Sequence, residues 1–193
     1  MIIQRSYFVY LEPDNSLDMK LKILLSDKGP SIIKKWRDVI LETYPDDTQR
    51  FLRKEKDQFS NPVGHIIGKD IEALYNELIS EGDTDKILSC LENIIRIRAV
   101  QDFKPSQAIA FVIQLKDIIR QELGGKSPIN GLSSELQEFE NRIDDIALLA
   151  FDIYSQCRQK IYEMRVNDVK NQVGNFLKRA DLTLEIPEHE PDL

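Results

Sequence analysis

Residues that carry metal and redox chemistry are scarce in this chain of 193 residues, which holds two histidines, two cysteines and one tryptophan. His65 and His189 lie in different parts of the chain, and neither HExxH nor CxxC occurs. A zinc site of the usual spacing is therefore excluded. The paired ExxH motifs that helical di-metal carboxylate sites need are also missing. Cys90 and Cys157 stand too far apart in sequence, and are too few, for a disulfide framework. They are expected to be buried, reduced thiols in a cytoplasmic protein. No cofactor is indicated.

Other absences exclude further classes. Neither GxxxxGK[ST] nor GxGxxG after a strand occurs. Gly124-Gly125-Lys126-Ser127 resembles the end of a phosphate loop, but it follows a helical pattern and reads as a helix stop. The longest apolar run, Ala108 to Ile113, is far too short to span a bilayer. The N-terminus MIIQRSYFVYLEP carries no secretory h-region. The net charge of −7 argues against general attraction to nucleic acid or anionic lipid. Five acids and no Lys or Arg fall between Asp181 and Leu193, so the remainder carries only −2. Ser106 and His65 could be united by folding, yet no third group or oxyanion hole is marked. The chain is not expected to be an enzyme.

What is present is helical periodicity. Residues 1–15 read as an arm with at most one short strand. Ser16 can cap a helix with Leu17, Leu21, Leu24 and Leu25 on one side, which Gly29-Pro30 is expected to end. Ile32, Ile33, Trp36, Val39 and Ile40 mark a second helix. PDDTQRFLRKEK, from Pro45, is a short amphipathic segment with acids in front and bases behind. Asn61-Pro62 signals a cap followed by the first helical residue. Ile66, Ile67, Ile71, Leu74 and Leu78 follow it.

Asp83 or Thr84 opens a helix with Ile87, Leu88, Leu91, Ile94 and Ile95 inward. Pro105 then launches the most apolar helix of the chain, to Leu123. From Leu132 the apolar residues run 4-3-4-3 through Leu136, Phe139, Ile143, Ile146, Ala150, Ile153 and Cys157, and less regularly through Ile161, Met164, Val169, Val173 and Phe176. This predicts a helix from Ser133 to about Arg179, with Phe139, Ile143, Ile146, Ala150, Ile153, Cys157, Ile161 and Met164 as a seam for a second subunit. The fold class is all-α, a helical bundle with a long C-terminal helix. The expected parts are the arm 1–15, a helical domain 16–130, the long helix 131–180 and a disordered acidic tail 181–193.

One corner, Arg96 to Val112, gathers polar groups in apolar surroundings. Arg96 and Arg98 read either as solvated charges at a helix C-terminus or as ion-pair partners of Asp102. Ser106 and Gln107 begin the next helix. His65, one turn into its own helix, reads either as a structural group or as one facing a ligand. His65, Arg96, Arg98, Asp102, Ser106 and Gln107 form the candidate ligand or partner corner.

From about Trp36 to Leu123 the sequence resembles the N-terminal domain of RsbRD-type RsbT co-antagonist proteins. The resemblance rests on Phe51-Leu52 with Arg53-Lys54-Glu55, on Asn61-Pro62-Val63-Gly64-His65, and on RIRAVQDF with Pro105-Ser106-Gln107-Ala108. It implies a regulatory or sensor-like module of the stressosome, globin-like without haem, homodimeric and signalling along a C-terminal helix to a STAS domain. No STAS segment follows Arg179 here, so a STAS-type protein or kinase would be bound in trans. Two alternatives are an accessory adaptor of a metabolic or redox system and a small-molecule or haem-binding sensor.

Overall fold

The computed structural model of this chain describes residues 19–55, 57–80, 82–124 and 133–179. The arm 1–15, the Ser16 cap, the GGKSPING loop beyond Gly124 and the acidic tail lie outside those residues. Among the described residues the chain is wholly helical: α1 (Met19–Leu41), α2 (Asp46–Lys54), α3 (Pro62–Ile79), α4 (Thr84–Val100), α5 (Pro105–Glu122) and α6 (Ser133–Arg179). Two compact units divide the chain, one reaching Cys157 and one starting at Arg158.

In the first unit, α3 packs on α4, and α1 packs on both α5 and α3. Every third or fourth residue of α1 is buried, from Leu21 and Leu25 through Ile32 and Trp36 to Ile40. The helix is unbroken, which corrects the expectation that Gly29-Pro30 ends it. Pro30 removes only its own donor, and both Pro30 and Ser26, whose carbonyl loses that partner, lie on the exposed side where water can serve it. The buried stripe therefore continues through the proline. Two aromatic side chains pin α1 to its neighbours. Trp36 donates to the Phe111 carbonyl at 2.7 Å, and the Tyr75 hydroxyl donates to the Leu25 carbonyl at 2.9 Å.

Local chemistry sets the helix starts. The Asn61 side chain accepts from the Gly64 amide at 2.8 Å and donates to the carbonyls of Leu52 and Glu55. A Cβ on Gly64 would sit 2.3 Å from that side chain, so the close cap needs glycine there. Asp83 caps α4 through the Asp85 amide at 3.0 Å. Beyond α5, Gly124 takes a φ of +112°, a conformation that suits glycine. The first part of α6 completes the core with Phe139, Ile143, Ile146, Leu149, Ala150, Ile153 and Tyr154. It is tied to α5 by Lys116–Asp144 at 2.6 Å and by a two-pronged Arg120–Glu140 pair at 2.5 and 2.6 Å.

In the second unit, Arg158–Arg179 is helical, and Tyr162, Val166, Val169, Val173 and Phe176 are exposed.

Candidate functional site

The turn between α4 and α5 is built around Arg98. Its side chain is completely buried, in the last turn of α4. The guanidinium donates from Nε to the Ala108 carbonyl at 3.1 Å, from Nη2 to the Gln107 carbonyl at 2.7 Å, and from Nη1 to the Thr43 hydroxyl at 3.1 Å. The Thr43 hydroxyl in turn donates to the Ile40 carbonyl at 2.6 Å. The guanidinium carbon, Cζ, lies 4.3 Å from the centre of the Phe103 ring and 5.9 Å from that of Phe111. A buried cation is tolerated when its donors are spent and aromatic faces line its cavity. Burial still pushes the Arg98 pKa down, with Tyr44 opposing the shift. The same burial raises the Tyr44 phenol, which Arg98 in turn lowers.

The turn itself is held from three sides. Asp102 adopts a φ of +62°, the left-handed conformation that Asp tolerates better than most side chains. Tyr44 donates to the Gln101 side chain at 2.7 Å and meets the Phe103 ring edge-on at 5.2 Å. Tyr154 of α6 donates to the Phe103 carbonyl. The Gln107 side chain reaches back to the Lys104 amide at 3.3 Å, closing the first turn of α5. The four residues of one short turn, Gln101 to Lys104, thus connect the ends of α1 and α4, the start of α5 and the Tyr154 turn of α6.

The six candidate residues separate in this arrangement. Arg98 and Gln107 share a hydrogen bond, and Asp102 shapes the turn between them. Arg96 is exposed and lies 3.9 Å from Glu92, one turn earlier on α4. Ser106 is exposed on α5, and His65 is exposed one turn into α3. Thr43, Tyr44, Phe111 and Tyr154 belong to the cluster as much as Arg98 does. Nothing in their spacing announced it, because they come from the turn after α1, from the second turn of α5 and from the middle of α6.

The seam proposed for a second subunit divides as well. Phe139, Ile143, Ile146, Ala150 and Ile153 are buried in the chain's own core, and Cys157 packs against it. Helices of the same chain therefore cover that face. Ile161 is half-buried and Met164 exposed.

No cluster of three His, Cys, Asp or Glu suited to a metal occurs among the described residues. Burial, reinforced by the charges of Asp70 and Glu77, raises the Cys90 thiol. A thiol so shifted is protonated and a poor nucleophile near neutral pH. No helix among the described residues is long and apolar enough to cross a membrane.

The "RsbT co-antagonist protein rsbRD N-terminal domain" family matches residues 30–169. A protein of Archaeoglobus fulgidus, described as an "uncharacterized protein", is 24% identical over 156 residues, covering 78% of this chain and 90% of the relative. No solved structure matches.

Proposed function

The chain belongs to the RsbT co-antagonist rsbRD N-terminal domain family, and from that premise we propose that it is a non-enzymatic regulatory module of stressosome type. It works through protein–protein contact, as a homodimer that engages a STAS-type or kinase partner in trans. The family match carries this reading. The Arg98 corner supports it by supplying a joint whose packing can be shifted as a unit. Because Tyr154 holds the Phe103 carbonyl, a perturbation that moves the turn must also move or break its tie to α6. Interlocked elements of this kind have discrete arrangements rather than continuous ones.

Light scattering on the purified chain tests the association: a particle of twice the 22.4 kDa chain mass is expected, and a monomer sinks the homodimer. Hydrogen exchange tests the joint. Tyr154→Phe removes the tie, and it should lower amide protection in the Gln101–Lys104 turn and at the start of α5 while leaving α3 unchanged. An unchanged exchange pattern would remove the corner from the mechanism.

A further inference from the structure

Exposed apolar residues are concentrated in the second unit. Within Arg158–Arg179, Tyr162, Val166, Val169, Val173 and Phe176 are spaced 4-3-4-3, and each is between 51% and 68% exposed. Their heptad register is new. Phe139, Ile146 and Ile153 repeat every seven residues, but from Ile153 to Tyr162 is nine, so the exposed set is offset by two residues from the buried one. Met164 and Leu177 are exposed as well but stand off this row; the five residues in strict 4-3 spacing form a narrow stripe, the geometry that receives a partner helix by interlocking side chains. A membrane surface favours a broader apolar arc.

Charge selects the partner. Six bases (Arg158, Lys160, Arg165, Lys170, Lys178, Arg179) face two acids (Glu163, Asp168), a net of +4 within a chain of −7. Placing Tyr162, Val169 and Phe176 at d puts Arg158 and Arg165 along one flank and Glu163 and Lys170 on the other. A parallel second copy would pair Arg158 with Glu163 but bring Arg165 against Lys170, leaving the excess of positive charge uncompensated. An antiparallel copy would set the arginine flanks against each other, relieved only where Glu163 meets Lys170. Flanking charges of like sign oppose pairing, and opposite ones favour it.

We propose that this stripe is the docking seam for an amphipathic helix of a different protein, with apolar residues at its own seam and Glu or Asp along its flanks. The proposal rests on the reading of the chain as a protein-contact module, and it says which contact is heterotypic.

Fluorescence anisotropy of the full chain with labelled synthetic helical peptides tests it. The probes are a four-heptad peptide with Val and Leu at the seam and Glu on both flanks, its twin with Lys flanks, and a peptide of this chain's residues 155–179. The Glu peptide should bind at least about tenfold more tightly than either other probe, and binding should weaken with salt. Val169→Asp should abolish binding at an unchanged urea midpoint, and Arg165→Glu with Lys170→Glu should reverse the preference towards the Lys peptide. Equal binding of the two flank variants, binding of neither, or preference for the chain's own segment would overturn the proposal. So would binding to phosphatidylserine vesicles in preference to the Glu peptide. Light scattering separates this outcome from the broader reading. If the wild-type dimer persists while the Glu peptide fails to bind, only the docking seam falls. If Val169→Asp converts a dimer to a monomer, the stripe is homotypic and the proposal is overturned.

Discussion

Two stretches of one helix carry similar apolar spacing and opposite burial. Between Phe139 and Tyr154, α6 sinks its seam residues into the core, while Leu148 and Phe151 off the seam stay exposed; between Tyr162 and Phe176 the seam residues are half exposed or more. Periodicity is a statement about one helix and its faces, and both stretches satisfy it. Burial depends on whether another element covers the face. The comparison teaches that a 4-3 pattern identifies a helix and a seam, but leaves open whose helix fills it.

The largest expected effect tests the covered region at its most unusual residue. Arg98→Ala deletes a fully buried side chain with three hydrogen bonds, and the urea midpoint should report a loss of about 4 kcal/mol. Arg98→Met keeps most of the volume and removes the desolvated charge, so its stability should lie within about 1 kcal/mol of the wild type. A methionine variant as damaged as the alanine one would mean that the polar contacts, rather than filled space, hold the corner.

Next comes the pair that bears directly on the comparison. Ile146→Ala should cost about 3 kcal/mol. Val169→Ala should change the urea midpoint by less than about 0.5 kcal/mol, since its side chain gives up little burial. Equal losses would erase the distinction between the two stretches.

Asn61→Ala is a smaller test within the covered region. Losing a side-chain cap typically costs about 1 kcal/mol, and the two carbonyls that Asn61 also serves should keep the loss from falling below that.

The smallest effect is read through pH. Hydrogen bonds from Lys35 and Ser31 hold the Glu122 carboxyl below the usual carboxylate range. The unfolded chain then binds this proton more readily than the folded one. The stabilisation is present above the ordinary carboxylate range and is lost as pH falls through the folded value. The difference in urea midpoint between the wild type and Glu122→Gln should be constant near neutral pH and shrink below about pH 5. A difference that does not respond to acid would show that the Lys35 and Ser31 contacts carry no pH-linked stability.

How much could be read in advance follows from how local each feature is. Asn61, Pro62, Asp83 and Pro105 act within one turn of themselves, so the starts of α3, α4 and α5 were legible as short motifs. The continuity of α1 through Pro30 was not, because a proline in a helix is decided by what its turn buries: Leu25 and Ile32 on either side anchor one stripe into the core. Arg98 was marked as a residue of interest in an apolar corner, and its neighbour Arg96 with it. Their separation into a buried hub and a surface charge depends on Thr43, Phe103, Phe111 and the carbonyls of Gln107 and Ala108, which three different segments supply.

What the sequence determined by itself was the all-helical class, the family, the starts of α3, α4 and α5 and the seam spacing of α6, all of which depend on neighbours within a few residues or on residue order. The tertiary structure alone decided that Arg98 is buried, that α6 spends its first seam on its own core, and that the Tyr162–Phe176 stripe is exposed. Each of these depends on which surfaces meet across long sequence separations, where the free energy of covering apolar area, and not local propensity, makes the choice.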